Sequence, residues 1–325
     1  MTLKKQLGRS TAWMSAAATG NSVASFIIFI VLSRLLEPKD IGLVAFALII
    51  VEIGKIIVNA GFPQAIVKHP VWDETFASTC FYLNMVFAIS VTLLIFFVGS
   101  PLVGRFYEVE AIPILQVLSI IFFIDGIKAV HEGKLKREFN FKVIALRTIF
   151  AGVISGMIGI FMAIKGFGVW ALVGQQLINQ CIITLFTLTS ARWTPKWKFS
   201  TSDSKSLLRF SSPLMLGQLI NNVNSKIFEI LIGILVGAAA LGFYRVGGRA
   251  LFILQEIVIK PFDYTLLSAI SRINEKAAQA QATLRVIRMS AYVTFPIFFG
   301  AAAIGPEFII FAFGEKWALS GQVMT

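Results

Sequence analysis

The sequence predicts an all-α integral membrane protein built as two pseudo-twofold helix bundles around a central cavity, with the second bundle incomplete in this chain. Three observations carry that reading. The composition is 57% hydrophobic and only 14% charged. Long apolar runs recur along the chain. The chain also resembles itself, position against position, between its first and last thirds.

A water-soluble domain carries roughly a quarter charged residues, so this chain has too little polar surface to face water on all sides. Lys and Arg number 29 against 17 Asp and Glu, a net charge of +12. In a soluble protein that surplus would suggest nucleic acid. Here it has a different meaning, because a membrane protein places its basic residues on one side, and no nucleic acid is implied.

A helix needs about 20 apolar residues to cross the hydrocarbon core. Nine segments qualify, at about 13–33, 41–61, 77–100, 111–131, 143–164, 168–190, 211–236, 242–262 and 287–305. The first follows Lys4, Lys5 and Arg9 as a signal peptide would, but its apolar run is too long for a cleaved leader, so it reads as a retained helix. With the N-terminus cytoplasmic, the inner stretches hold eighteen Lys and Arg and the outer stretches five. That bias sets the orientation. The outer connections at 165–167 and 237–241 are barely turns, which leaves no room for an outer catalytic domain. The polar, Ala-rich segment 271–288 reads as a surface helix.

The self-resemblance aligns Asn21 with Asn221, Ile41-Gly42-Leu43 with Leu241-Gly242-Phe243, and Phe62 with Phe262. Further along, with the offset slightly longer, Pro101 meets Pro306 and Phe106 meets Phe311. Both copies start on the same side, as parallel repeats about an axis along the membrane normal do. The expected organisation is a six-helix lobe at 1–190, a cytoplasmic linker at 191–210, and the first three helices of a second lobe at 211–325.

Three turn motifs carry a family resemblance. Leu32-Ser33-Arg34-Leu35-Leu36-Glu37-Pro38-Lys39-Asp40-Ile41-Gly42-Leu43 joins spans one and two. Gly166-Phe167-Gly168-Val169-Trp170-Ala171-Leu172-Val173 enters span six. Ile232-Gly233-Ile234-Leu235-Val236-Gly237, followed by Leu241-Gly242-Phe243-Tyr244, joins spans seven and eight. In order, these resemble the Wzx-type flippases, the polysaccharide transport branch of the multidrug/oligosaccharidyl-lipid/polysaccharide exporter superfamily. The resemblance implies a multi-pass protein of the bacterial inner membrane. It implies alternating access and outward movement of oligosaccharide linked to undecaprenyl diphosphate. It also implies H+ or Na+ coupling and neighbours in polysaccharide assembly.

Lys or Arg at a helix centre costs about 2.5–3.5 kcal/mol on insertion scales, so in-span charges must be paired, snorkelled or wetted. Helical spacing pairs Glu52 with Lys55, Asp125 with Lys128, Lys226 with Glu229, and Glu256 with Lys260. Such pairs are either neutralised structural contacts or the lining of a cavity. In the second reading Lys226, Arg249, Lys55 and Lys128 bind the substrate anion. Asn221, Asn222, Gln176 and Gln180 then hold sugar hydroxyls, and Glu229, Asp125, Glu256 and Glu52 carry the coupling ion. Lys226 is the leading substrate contact, because it lies ~22 Å from the inner end of its span. The amides serve equally well as glue between helices. Gly152, Gly156 and Gly159 mark close helix packing. Pro213, Pro261 and Pro296 mark helix starts, ends or kinks.

Cys80 and Cys181 read as packing residues, and neither they nor His69 and His131 have metal-site spacing. No nucleotide-binding or zinc-hydrolase motif occurs, so no catalytic residue, metal or cofactor is expected. Two rival readings remain open. One is a drug or metabolite antiporter on the same architecture, and the other is a membrane-embedded enzyme of polysaccharide assembly.

Overall fold

A computed structural model describes residues 20–259 and 276–323. Helix α1 covers Gly20–Leu35. It is followed by α2 (Pro38–Asn59), α3 (Phe62–Lys68) and α4 (Glu74–Leu94). Helix α4 continues through a π-helical segment, Ile95–Gly99, into α5 (Ser100–Phe106). Then come α6 (Ala111–Arg137), α7 (Phe141–Ile164) and α8 (Val169–Ala191). The remaining helices are α9 (Thr201–Val236), α10 (Ala238–Val258), α11 (Lys276–Ala303), α12 (Gly305–Phe313) and α13 (Ala318–Gly321).

The turns explain why helices begin where they do. Pro38 opens α2. At that position its missing N–H costs nothing. The Asp40 side chain accepts the Glu37 N–H at 3.3 Å. That contact satisfies one of the donors a helix start leaves free. The third motif turns on one residue, Gly237, whose φ is +107. Only glycine adopts such a conformation easily. The π segment lies just before Pro101, near the start of α5. The missing N–H of proline interrupts the α ladder there.

Among the described residues, seven stretches are long and apolar enough to cross a membrane. They correspond to expected spans two to seven and nine. The first expected span is described only from Gly20 onward. The eighth is helical as α10, but Arg245, Arg249 and Glu256 dilute its apolarity, and it is not among the seven.

Two expectations need correction. Among the described residues, the stretch 276–303 is one continuous helix, so the part of the expected surface helix from 276 on is continuous with the ninth span; residues 271–275 lie outside the described residues. Of the starts, ends or kinks expected at the prolines, Pro213 and Pro296 lie inside α9 and α11, and Pro261 lies outside the described residues. Cys80 is buried, but Cys181 is exposed on α8 and does not pack in the core.

The first bundle is held by α4 on α6, α7 on α8, and α6 between α2 and α8. The small-residue stripe of α7 works as its spacing suggested. A Cβ at Gly156 would overlap the Ile28 side chain of α1, and one at Gly159 would press Gln175 of α8.

The repeat becomes a contact where α2 crosses α10. A Cβ at Gly42 would overlap the Ala238 carbonyl oxygen, and one at Gly242 would overlap the Pro38 carbonyl oxygen. Both would stand well under the 3.0 Å that real Cβ contacts keep. Residue 42 meets 238 and residue 242 meets 38, so the contact is its own image under the repeat. Reciprocal contacts of this kind are the mark of a twofold relation. The helices approach closely enough that no side chain fits between them.

At the same end, each half closes the helix ends of the other. Arg34 donates to the Phe311 and Ala312 carbonyls, which terminate α12. Lys316 donates to the Arg34 and Leu36 carbonyls at 3.1 and 2.6 Å, where α1 ends. The buried indole of Trp317 donates to the Ser33 carbonyl at 2.8 Å. These donors satisfy carbonyls that a helix terminus leaves without partners, and the two cations also suit its negative end.

Candidate functional site

The in-span charges gather into two clusters joined by α2. The first lies between α2, α6 and α8. Asp125 is buried and takes the Lys128 ammonium at 2.7 Å, as the i,i+3 spacing suggested. It also accepts the Asn59 amide at 3.0 Å and the Gln180 amide. Gln180 turns its oxygen to Lys55 Nζ at 3.2 Å.

This geometry corrects the expected Glu52–Lys55 pair. The two side chains leave α2 toward different neighbours: Lys55 meets Gln180 of α8, and Glu52 lies 3.7 Å from Lys226 of α9. The second cluster therefore lies between α2, α9 and α10. Lys226 is 3.1 Å from Glu229, and Glu229 is 2.8 Å from Arg245 Nε. Arg249 donates to Ser25 of α1 at 2.9 Å, and its guanidinium lies within 6.0 Å of the Phe29 ring and 5.6 Å of the Phe252 ring.

Helix geometry puts these groups at one depth. Glu229 precedes the Gly237 turn by as many residues as Arg245 follows it. The rise of an α-helix places both ~12 Å from that turn. Their pairing follows from an antiparallel hairpin. Lys226 and Arg249 lie ~17 Å from the turn, near the middle of a hydrocarbon layer about 30 Å thick. Arg249 is thus deeper than a span beginning at residue 242 would make it.

The second cluster sets three cations against three carboxylates. Lys226 and Arg245 face Glu52 and Glu229, and Arg249 lies in the field of Arg245 and of Glu256. In the first cluster Lys55 and Lys128 face Asp125. The first cluster keeps one cation in excess among these named groups.

The amides divide between roles. Gln180 is occupied by Lys55 and Asp125, and Asn179 donates to Ser155 at 3.1 Å, so both hold helices together. Gln176 is half-buried on α8. Asn221 is exposed and Asn222 half-buried on α9, one turn before Lys226. Glu256 lies further along α10, and its expected partner Lys260 lies outside the described residues.

Two polar groups escape the sequence reading. Asn59 stands i,i+4 from Lys55, a spacing that could have flagged it. Arg147 falls among the inner-stretch cations by sequence, yet it is buried in α7, where it pairs with Glu132 at 3.0 Å and donates to Thr187. Its place inside the helix that begins at Phe141 is the signal that could have found it.

The two-bundle arrangement, the repeat contact and the mid-depth charges define an all-helical, multi-pass membrane protein with the fold of the oligosaccharide and multidrug exporters. The chain belongs to the polysaccharide biosynthesis protein family, whose profile matches residues 31–321. The resemblance drawn from the turn motifs therefore holds. The succinoglycan biosynthesis transport protein ExoT of Rhizobium meliloti (strain 1021) is 23% identical over 98% of this chain and 65% of its own length. The teichuronic acid biosynthesis protein TuaB of Bacillus subtilis (strain 168) is 25% identical over 99% of this chain and 68% of its own. The chain thus spans about two thirds of the length of these relatives. Among solved structures, the lipid II flippase MurJ in an inward closed conformation matches over 96% of this chain and 70% of its own. Its TM-score is 0.75 at 12% identity, a likeness of fold.

Proposed function

We propose that the protein moves an oligosaccharide linked to undecaprenyl diphosphate from the inner to the outer leaflet of the bacterial inner membrane. The observation that carries this reading is the Glu52–Lys226–Glu229–Arg245 chain at mid-depth, with Arg249 beside it. A diphosphate is a multivalent anion that competes with two carboxylates for the same cations. Lys226 contacts both α2 and α9, so an anion that draws it away from Glu52 also breaks a link between the lobes. Binding thereby biases the arrangement of the two halves, as alternating access requires.

With the N-terminus cytoplasmic, the Gly42–Gly242 crossing and the contacts of Arg34, Lys316 and Trp317 close the outer face. Opening that face releases five hydrogen bonds and one close backbone approach. Glu229, Asp125, Glu52 and Glu256 are the coupling carboxylates in this reading, carrying H+ or Na+. In this reading the described residues up to 190 belong to one lobe, 191–210 link it, and those from 211 on belong to a second. The protein works as a transporter rather than an enzyme, supplied by the proteins that assemble the repeat unit. The family description and the names of ExoT and TuaB support a place in polysaccharide assembly.

The test replaces Lys226 or Arg249 with Ala and follows lipid-linked repeat units by leaflet. The expected result is accumulation on the inner leaflet and loss of surface polysaccharide at normal protein level. Normal surface polysaccharide in both variants would overturn the site.

A further inference from the structure

A cavity lies away from the charges described above. It lies at the end of the first bundle, between α3, the last turn of α6 and the first turn of α7, with a volume of about 490 Å³. Lys68, Lys136 and Arg137 line it together with Gln64, Phe139 and Phe141, and its lining contains no carboxylate.

The position follows from the helix bounds. Lys68 ends one membrane-length stretch, Arg137 ends another, and Phe141 begins a third. The cleft therefore lies at the boundary between hydrocarbon and headgroups, the depth of lipid phosphates. The exposed side chains of Val67 and Phe139 supply an apolar wall beside the cations.

The cations are held, and their charge is only partly cancelled. Arg137 donates to the Ile66 and Pro70 carbonyls at 3.0 Å each, and to the His69 carbonyl. Neutral carbonyls fix the guanidinium without removing its charge. Lys68 rests over the Phe210 ring at 4.6 Å. Lys136 is paired with Glu132 at 2.7 Å. Two positive charges remain beside an apolar wall at the interface.

We infer that this cleft binds a lipid-borne phosphate, the charged head in the cationic rim and the first segment of the tail against Phe139 and Phe141. Basic pockets between spans at the membrane surface recognise anionic headgroups in this way. The source is an anionic phospholipid or the phosphorylated polyprenyl carrier. The inference rests on the chain spanning a membrane and is independent of the transport site around Lys226.

The test uses the purified protein and its Lys68→Glu and Lys68→Gln variants. Retention of phosphatidylglycerol, undecaprenyl phosphate and phosphatidylcholine is counted by native mass spectrometry. Thermal stabilisation by each lipid and by inorganic phosphate is measured in parallel. Lys68→Gln is expected to lower affinity for the anionic lipid about fivefold, the effect of one cation at a membrane surface, and Lys68→Glu by more. Phosphatidylcholine binding stays unchanged. Loss of phosphatidylglycerol alone identifies a phospholipid site, and loss of undecaprenyl phosphate alone identifies a carrier site. Equal retention of both anionic lipids by wild type and both variants overturns the inference. Stabilisation by inorganic phosphate equal to that by the lipids overturns it too.

Discussion

Replacing Asp125 with Ala removes the one carboxylate of the α2–α6–α8 cluster. Its side chain is 4% exposed and that of Lys128 12%, with the charged atoms 2.7 Å apart. The change leaves the Lys128 ammonium without its acid and frees the Asn59 and Gln180 amides. Breaking a buried pair from one side costs about 3–5 kcal/mol, because an uncompensated charge stays behind. Glu52 offers the contrast. Its carboxylate is 44% exposed and 3.7 Å from Lys226. An exposed pair of that kind contributes little, so Glu52→Ala should cost at most ~1 kcal/mol. Unfolding free energies in mixed micelles would measure both. Lys128→Met added to Asp125→Ala should restore part of the loss, since only Lys55 then stays without an acid. If Asp125→Ala costs no more than Glu52→Ala, or if the second substitution deepens the loss, the pairing argument is wrong.

A Cβ at Gly42 or Gly242 meets a backbone carbonyl that cannot swing aside. Gly42→Ala and Gly242→Ala should therefore each weaken the α2–α10 crossing by about 1–3 kcal/mol, the usual cost of overpacking. The two effects should be similar in size, and cysteine pairs across the crossing should cross-link less in both variants. Arg34→Ala leaves the α12 carbonyls of Phe311 and Ala312 without their donor; increased thiol labelling of a cysteine near Trp317 would report the loosened end. Arg147→Met keeps the bulk but removes the charge opposite Glu132, and should restore little stability unless Glu132→Gln accompanies it. A double-mutant cycle reads that coupling.

Apolar run length, turn chemistry and the internal repeat were legible without coordinates, because each is a local or one-dimensional property. An apolar run of about 20 residues crosses a bilayer whatever its neighbours, and Gly237 must turn wherever its helices go. The i,i+3 pairs Asp125–Lys128 and Lys226–Glu229 were legible for the same reason, since both partners sit on one helix. Tertiary structure decided the rest. Glu52 and Lys55 have the same spacing as those pairs, yet α2 stands between α8 and α9, and each charge goes to a different helix. Gly42 and Gly242 lie far apart in the chain, and only the crossing of their helices turns an aligned pair into a contact. Helix spacing places charges on one face of a helix; which helix that face meets is set by packing across the whole bundle.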